Sequence, residues 1–283
     1  AQAVGCTAEY FLNNHAKITS ISTDSRPQPE DEDKESCLFV ALRGEKFDGH
    51  QYVDSALRNK AAYALVDEKG VQEYCSEISP EHLIVCKDTE QGFLDLAGYY
   101  RNQFQFKMVG VTGSVGKTTT KEMIAQVLSA QYETLKTQGN FNNRVGLPKT
   151  LFQLDNSIEA AVIEMGMNSF GEISDLTRRA RPDAAVITNI GVAHIEYLGS
   201  RAGILKAKME IIEGMKEGSP LILNKDDDML ADLDCPQMKK IYYGIERSDC
   251  DVHAKDIQEE GGHTSFTIVY EGKEYPAVIP TFG

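Results

Sequence analysis

The sequence predicts an α/β protein with a small N-terminal α/β domain, followed by a larger domain built on a mostly parallel sheet. Its 283 residues exceed the usual size of one hydrophobic core, so two domains are expected. Beyond Phe106, short apolar strands alternate with helical stretches, which is typical of a parallel sheet covered by helices. We therefore expect a first domain at residues 1–105 and a second domain at residues 106–283.

The first domain contains short strand-like segments. Ser36–Leu42 (SCLFVAL) and Ala61–Val66 (AAYALV) are apolar and predict strands. Between the start of the chain and these strands, the acidic stretch Pro27–Glu35 (PQPEDEDKE) predicts a solvated loop.

The second domain shows the alternation of strands and helices most clearly. The predicted strands are Met108–Val111, Ala160–Glu164, Ala184–Ile190 and Pro220–Asn224. The predicted helices are Thr118–Ala130, Gly171–Arg179 and Ala202–Met215. The tail at Asp249–Tyr275 alternates like antiparallel strands, with a hairpin turn predicted at Glu271-Gly272. The last residues, Ile279–Gly283 (IPTFG), do not resemble the natural end of a fold, so we expect a longer parent protein.

Composition restricts the classes of partner. The net charge of −14, from 43 acidic and 29 basic residues, argues against nonspecific binding to nucleic acid or to an anionic membrane surface. No apolar run approaches the roughly 20 residues that span a bilayer. The six cysteines form no CxxC pair and predict free thiols in a reducing compartment, so a cytoplasmic location is expected.

A phosphate-binding loop is predicted at Met108–Ile124 (MVGVTGSVGKTTTKEMI), where a short apolar strand enters a Gly-rich turn that opens a helix. Backbone amides of such a turn point at phosphates, a lysine reaches the β and γ phosphates, and a threonine hydroxyl binds Mg²⁺. The expected ligands of ATP and Mg²⁺ are Gly113, Ser114, Val115, Gly116, Lys117, Thr118 and Thr119. The strict GxxxxGK[ST] pattern would need glycine at Val111, so a Gly-rich turn that binds no ligand is the alternative.

Three further residues follow the strands at which ligands gather in open α/β sheets. Glu164 ends an apolar strand beside the predicted loop and is a candidate Mg²⁺ ligand; the alternative is an exposed acid at a strand end. His194 follows the next strand, and a lone histidine is more often a polar residue with satisfied hydrogen bonds than a metal ligand. Lys208 lies on a predicted helix, and the residues alone indicate only a solvated lysine.

Together, four segments resemble the Mur ligase family, the ATP-dependent enzymes that extend the peptide of bacterial cell-wall precursors. The segments are TGSVGKTTT (Thr112–Thr120), EMGMNSFGEI (Glu164–Ile173), TNIGVAHIEYLGS (Thr188–Ser200) and AKMEI (Ala207–Ile211). In this family the loop is similar to TGxxGKT with an aliphatic residue before the first threonine, as at Val111. The resemblance covers essentially the whole chain.

The resemblance implies roles for individual residues. Lys117 and Thr118 would bind the phosphates of ATP and Mg²⁺, while Glu164 and His194 would help to hold the metal. Lys208 occupies the place of a lysine that several members carboxylate with carbon dioxide. This would turn a cation into an oxygen donor suited to Mg²⁺, so Lys208 is also a candidate metal ligand. Lys117, His194 and Lys208 are therefore the candidate catalytic residues.

The resemblance is greatest to the branch that adds D-alanyl-D-alanine to UDP-N-acetylmuramoyl-tripeptide through an acyl phosphate. It implies that Lys136–Leu151 (KTQGNFNNRVGLPKTL), together with a UDP-sugar-binding first domain, contacts the precursor. The candidate substrate residues are Ser25, Arg26, Asp48, His50, Asn140, Asn142, Asn143 and Arg144. Ordinary turn and capping chemistry is the alternative for each of these groups.

One part of the family pattern is missing. Family members carry a C-terminal domain of dinucleotide-binding type that brings the amino substrate, and nothing in this sequence matches it. We therefore expect this chain to be a fragment without turnover of its own. The alternatives are another ligase of the Mur or folate-polyglutamate type, a kinase or simple NTPase, and a non-catalytic binding module.

Overall fold

The computed structural model describes residues 18–26, 36–44, 46–59, 61–193 and 195–280. The chain divides into two compact units. The first comprises the described residues up to Gln103 together with Arg144–Gln153, and the second comprises Phe104–Asn143 and the residues from Leu154 onward. The first unit is therefore discontinuous in sequence. The acidic stretch at residues 27–35 and the last three residues lie outside the described residues.

The described residues of the two units form thirteen strands and eight α-helices. The strands are β1 (Ser20–Ser22), β2 (Cys37–Val40), β3 (Ala61–Asp67), β4 (Leu83–Cys86), β5 (Lys107–Thr112), β6 (Thr134–Lys136), β7 (Ala160–Glu164), β8 (Ala184–Ile187), β9 (Pro220–Asn224), β10 (Lys239–Gly244), β11 (Val252–Glu260), β12 (His263–Tyr270) and β13 (Lys273–Ile279). The helices are α1 (Val53–Arg58), α2 (Glu68–Tyr74), α3 (Thr89–Arg101), α4 (Lys117–Leu128), α5 (Gly146–Leu151), α6 (Glu172–Ala180), α7 (Ile195–Leu198) and α8 (Arg201–Met209).

The first unit is built on a parallel sheet with the strand order β1-β2-β3-β4. Its core has two parts. One contains Phe39, Val53 and Val66, and the other contains Leu65 and Phe93. β3 is a continuous apolar run because its alternate side chains enter one core part or the other. The strands predicted at residues 36–42 and 61–66 are present as β2 and β3.

The second unit is built on a nine-stranded sheet with the order β13-β12-β11-β10-β9-β8-β5-β7-β6. Its strands run parallel from β6 to β11, and β11, β12 and β13 are antiparallel. β7 is buried along its whole length. The predicted α/β class with a mostly parallel sheet is confirmed.

The four predicted strands of this domain are present as β5, β7, β8 and β9, but β8 ends at Ile187 rather than Ile190. The chain leaves the sheet there because the next residues bond to the turn that follows β5. The hydroxyl of Thr188 donates to the carbonyl of Val115 at 2.6 Å, and the Nδ2 of Asn189 donates to the same carbonyl at 3.0 Å. β8 thus ends where its continuation supports the loop.

The remaining predictions for this domain differ in detail. The helix predicted at residues 202–215 ends as α8 at Met209, and a 3-10 helix continues it over Glu210–Gly214. β6 and β10 were not predicted. The hairpin turn between β12 and β13 is confirmed: Tyr270 pairs with Lys273, and both turn residues have positive φ, 49° at Glu271 and 72° at Gly272.

No helix among the described residues combines the length and apolar character that crossing a membrane requires.

Candidate active site

The predicted phosphate loop is the turn between β5 and α4. β5 ends at Thr112, and α4 begins at Lys117. Gly113 has a φ of 150°, and a Cβ at this position would fall 1.9 Å from the hydroxyl oxygen of Thr188. Gly116 caps α4 with a φ of 81°. Side chains at these two positions would therefore meet a close contact or backbone strain, which explains the two glycines.

The N-terminus of α4 supplies hydrogen-bond donors. The first bond within the helix runs from the amide of Thr120 to the carbonyl of Gly116 at 2.9 Å. The amides of residues 117–119 precede it and have no acceptor within the helix. They also lie at the positive end of the helix dipole, which favours an anion. This turn can therefore hold a phosphate.

Two amides of the loop itself are already engaged. The amide of Ser114 donates to the carbonyl of Asn189 at 3.0 Å, and the amide of Val115 donates to the Oδ1 of Asn189 at 3.0 Å. Asn189 therefore fixes the loop from the end of β8. In this conformation the first helical turn, rather than Ser114 or Val115, presents unengaged amides.

Lys117 is partly buried at the start of α4. Its Nζ donates to the carbonyl of Gly113 at 2.9 Å, so the ammonium group lies folded over the loop. Burial lowers the pKa of Lys117, and the nearby carboxylate of Glu164 opposes that shift. The lysine therefore provides a positive charge at the place where the helix amides point.

Glu164 ends β7 beside the same helix and is 2% exposed. Its Oε2 accepts a hydrogen bond from the hydroxyl of Thr118 at 3.0 Å, and its Oε1 accepts one from the Nδ2 of Asn142 at 2.8 Å. The Nζ of Lys121 lies 3.9 Å from Oε2. The carboxylate is thus fixed from three sides.

The donors at this site fit a magnesium ion. Magnesium prefers hard oxygen ligands, and proteins usually hold it with one or two carboxylates while phosphates and water fill the other positions. The hydroxyl of Thr118 and the carboxylate of Glu164 are such oxygens, and they lie at hydrogen-bond distance next to the loop. Within the described ranges, no group of three or more His, Cys, Asp or Glu side chains could hold a metal alone. The predicted ligand His194 lies outside the described residues.

Lys208 lies on α8 and is 3% exposed. It lines a pocket of about 310 Å³ together with Lys117 and Asn142. Burial, and to a smaller extent the positive charge of Lys117, together lower the pKa of Lys208 to about 7. Near pH 7 a substantial fraction of this buried amine is therefore neutral. The neutral amine can act as a nucleophile.

The predicted substrate residues at positions 140–144 are divided between the two units: the three asparagines belong to the second unit and Arg144 to the first. Asn140, Asn142 and Asn143 line the pocket of Lys117 and Lys208. Arg144 belongs to the first unit, where its guanidinium contacts Glu90 at 2.7 Å and Gln91 at 2.7 Å on α3.

In the first unit, Ser25 and Arg26 line a second pocket, of about 540 Å³. Its other walls include Arg43 and the exposed rings of Phe47 and Tyr52. The guanidinium of Arg26 is highly exposed and pairs with Asp24 at 2.5 Å. The pocket thus combines two arginines with aromatic surface, which suits a ligand with both a charged and a planar part.

Asp48 and His50 lie beneath this surface. The ring of His50 is fully buried; its Nδ1 donates to the Oδ1 of Asp48 at 2.5 Å, and its Nε2 accepts the amide of Asp67 at 3.1 Å. The guanidinium of Arg43 bridges Asp48 and Asp67. Both ring nitrogens of His50 are therefore occupied inside the protein.

Four residues that support the site were not among the predicted site residues: Lys121, Thr137, Thr188 and Asn189. Lys121 follows Lys117 by four residues, which is about one helical turn. This spacing was the only signal in the sequence that both side chains lie on the same face of α4. Thr188 and Asn189 directly follow β8, but the strand predicted at residues 184–190 ran past them, so the strand-end argument that identified Glu164 was not applied to them.

The chain is similar to proteins of a known family over most of its length. A family model described as the Mur ligase middle domain matches residues 111–283. The UDP-N-acetylmuramoyl-tripeptide–D-alanyl-D-alanine ligase of Bacillus subtilis (strain 168) is 41% identical over 268 residues, which are 94% of this chain and 55% of that protein. The chain therefore spans about half the length of that relative.

Two solved structures are similar over most of the chain. MurF from Acinetobacter baumannii has a TM-score of 0.85 at 31% identity, covering 100% of this chain and 60% of its own. MurF ligase from Thermotoga maritima, solved in complex with ADP, has a TM-score of 0.82 at 30% identity, covering 93% of this chain and 58% of its own. Because the family model matches more than half of the residues of this chain, the chain belongs to the Mur ligase family.

Proposed function

We propose that the protein is an ATP-dependent ligase that joins D-alanyl-D-alanine to UDP-N-acetylmuramoyl-tripeptide through an acyl phosphate. The observation that carries this proposal is the arrangement of Lys117, Thr118 and Glu164 around the N-terminus of α4. The name of the relative at 41% identity supports the choice of substrates. The second unit would bind ATP, and the first would bind the UDP-linked precursor.

In the first step, the terminal carboxylate of the precursor attacks the γ-phosphorus of ATP. A carboxylate O–P bond forms, the bond from that phosphorus to the β,γ-bridging oxygen breaks, and ADP leaves. Placement and neutralisation of charge dominate the catalysis of such transfers. The ammonium of Lys117 and the amides of the first turn of α4 would stabilise the charge on the transferred group.

In the second step, the amine of D-alanyl-D-alanine attacks the activated carbonyl carbon. A C–N bond forms, the C–O bond to the phosphate breaks, inorganic phosphate leaves, and the amine gives up its proton. The pocket lined by Lys117 and four asparagines, Asn140, Asn142, Asn143 and Asn168, offers a cationic donor and amide donors for the phosphate and the carbonyl oxygen.

Thr118 and Glu164 would hold Mg²⁺ here, with His194 and the carboxylated Lys208 as the other two predicted ligands. The bound ion neutralises charge on the phosphates and orients them. We also propose that the amine of Lys208 adds carbon dioxide, forming an N–C bond and releasing a proton, as the resemblance to its family implies. The depressed pKa of Lys208 supports this reaction because only the neutral amine can attack.

The 540 Å³ pocket of the first unit is the proposed site for the UDP part of the precursor. Arg26 and Ser25 would contact the diphosphate, and Phe47 and Tyr52 offer flat surfaces for the uracil ring. Asp48 and His50 would act from below, by holding Arg43. We place the reaction in the cytoplasm, which the free thiols of the described cysteines support.

The test is a product assay on the full-length protein. It is incubated with ATP, Mg²⁺, UDP-N-acetylmuramoyl-tripeptide and D-alanyl-D-alanine, and the products are identified by mass spectrometry. We expect the amide product, ADP and phosphate in equal amounts. Lys117→Ala should reduce turnover at least about hundredfold, since losing one such charge costs on the order of 3 kcal/mol at the transition state. The exposed Lys216→Ala should leave it unchanged.

Other outcomes identify the alternatives. An amide formed only with a single amino acid would indicate a sister ligase. A stable phosphorylated precursor would indicate a kinase, and ATP hydrolysis without an amide would indicate a simple NTPase. Any of these three results would refute the proposed reaction.

A further inference from the structure

Lys121 is a lysine with no access to solvent, and no step of the proposed reaction uses it. It lies on α4, one helical turn after Lys117, and its side chain is 0% exposed. Removing an ammonium group from water costs several kcal/mol unless the protein provides partners. The partners of Lys121 therefore show which group its positive charge stabilises.

The partners of Lys121 converge on Glu164. The Nζ of Lys121 donates to the carbonyl of Thr137 at 2.7 Å. The hydroxyl of Thr137 in turn accepts the backbone amide of Glu164 at 3.0 Å. The same Nζ lies 3.9 Å from the Oε2 of Glu164. Lys121 thus contacts both the side chain of the metal-ligand candidate and the residue that fixes its backbone.

Glu122 is the other acidic partner of Lys121, at 3.0 Å, but it has a second cation. Its side chain is 45% exposed and also pairs with Lys136. Glu164 differs, because among the described residues Lys121 is the one cation within 4.0 Å of its buried carboxylate. The buried charge of Lys121 is therefore shared between Glu122 at 3.0 Å and Glu164 at 3.9 Å, and it is Glu164 that depends on Lys121 for a nearby cation.

Lys121 approaches Glu164 from the side opposite to solvent. The Oε2 of Glu164 accepts from Thr118, which is exposed, while Lys121 is fully enclosed. A divalent ion bound at Thr118 and Glu164 would share this oxygen with an ammonium group. The pocket beside it adds the positive charge of Lys117. Without a nucleotide, a divalent cation would therefore meet a carboxylate whose charge is already compensated.

We propose that Lys121 is a positioning residue that makes metal binding depend on the nucleotide. It holds the carboxylate of Glu164 in place and cancels its charge, so that a divalent ion binds only when the phosphates of ATP supply further negative oxygens. This inference rests on the proposed ATP site. It predicts that the ion enters with the nucleotide, not before it.

The experiment measures binding of Mn²⁺, a paramagnetic substitute for Mg²⁺, by electron paramagnetic resonance, with and without ADP. For the unaltered chain we expect weak binding of Mn²⁺ alone and much tighter binding with ADP. Lys121→Gln keeps a donor for the carbonyl of Thr137 but removes the charge. It should tighten binding of Mn²⁺ alone about tenfold or more, since groups behind metal ligands alter metal affinity by roughly 10–100-fold.

Two variants serve as controls. Lys121→Arg keeps the charge and should bind Mn²⁺ alone as weakly as the unaltered chain. Lys216→Gln makes the same change in net charge at an exposed site and should also leave Mn²⁺ binding unchanged. The proposal is overturned if Lys121→Gln leaves binding of Mn²⁺ alone unchanged, or if Lys216→Gln tightens it equally.

If Lys121→Gln does not fold, a second experiment tests the proposal by comparing the Tm of single and double variants at Lys121 and Glu164. Glu164→Gln should lower the Tm, because it removes the more buried of the two carboxylates that lie beside the ammonium of Lys121. The double variant Lys121→Met/Glu164→Met should recover most of that loss. A Tm unaffected by Glu164→Gln would show that the two residues are not coupled. Failure of the unaltered chain to bind ADP would instead refute the ATP site, while the measurements with Mn²⁺ alone would still report on Lys121.

Discussion

The hydroxyl of Thr118 donates a hydrogen bond to the Oε2 of Glu164 across 3.0 Å. These residues are 46 positions apart in sequence, and the parallel sheet brings them together because β5 and β7 are neighbours. The loop after β5 leads into α4, whose second residue is Thr118, and β7 ends on Glu164. A hydroxyl and a carboxylate oxygen thus meet beside the amides that would hold a phosphate, which is the arrangement a nucleotide-bound magnesium ion requires.

Replacing the hydroxyl of Thr118 tests this contact. Thr118→Val keeps the shape of the side chain and removes one oxygen from the proposed ligand set. We expect binding of ATP in the presence of Mg²⁺ to weaken about 10–100-fold, and binding of ATP in EDTA to change little. Isothermal titration calorimetry measures both. Thr118→Ser retains the oxygen and should bind like the unaltered chain; equal binding by the valine variant would contradict the assignment.

Gly113→Ala tests the close approach of the loop to the end of β8. The added Cβ would fall 1.9 Å from the hydroxyl oxygen of Thr188. Either the loop after β5 or the chain at the end of β8 must therefore shift. We expect a loss of about 1–3 kcal/mol in the free energy of unfolding, measured by urea denaturation, and loss of ATP binding. Gly218→Ala is the matched control, because Gly218 also has a positive φ, 79°, but no atom lies within 4 Å of the added Cβ. Its ATP binding should be unaltered.

The strands that a sequence reader could place are those with a simple pattern. β7 and β9 were predicted at the residues where they occur, because each is a short apolar run bounded by polar residues. β6 has only three residues, and β10 begins with two lysines, so neither shows a clear apolar pattern. The pattern of apolar residues therefore predicted a strand only where the apolar run was several residues long and its side chains are buried.

The residues of the candidate site also fall into those that the sequence could predict and those that it could not. Lys117, Thr118 and Glu164 were predictable because each stands at a strand end or helix start, where backbone direction alone fixes the approximate position. The support given to the loop by Thr188 was not predicted, because its partner Val115 lies 73 positions away in sequence. The position of His50 could not be judged either, since its burial depends on Asp48 and Asp67 approaching it from two elements. Long-range pairing of side chains is what the pattern of one sequence does not contain.

His50 should control the stability of the first unit. His50→Ala removes the buried ring, leaves a cavity, and deprives the Asp67 amide of its acceptor. We expect a loss of about 3 kcal/mol in the free energy of unfolding, measured by chemical denaturation. His82→Ala is the matched control because His82 is about half exposed; its effect should be below about 1 kcal/mol. If His50→Ala were as stable as the unaltered chain, the buried network would not hold the unit together.

Lys208 should make stability depend on pH. In the folded chain its pKa is about 7, against an ordinary lysine value of 10.5. Between these values the unfolded state binds more protons than the folded state, so stability from this group rises with pH from about 7 to 10.5. Below about pH 7 both states are protonated, and the cost of burying the charge, on the order of 4 kcal/mol, is fully present.

Lys208→Met removes that cost. In buffer freed of carbon dioxide, the variant should therefore be more stable than the unaltered chain at pH 6, by up to several kcal/mol. The difference should shrink steadily as pH rises above 7. Urea denaturation at a series of pH values measures it. Lys206→Met, at an exposed position on the same helix, should show no such trend. A difference between the Lys208 variant and the unaltered chain that stays constant over this range would mean that the amine is not held in its neutral form, and the proposed attack on carbon dioxide would lose its physical basis.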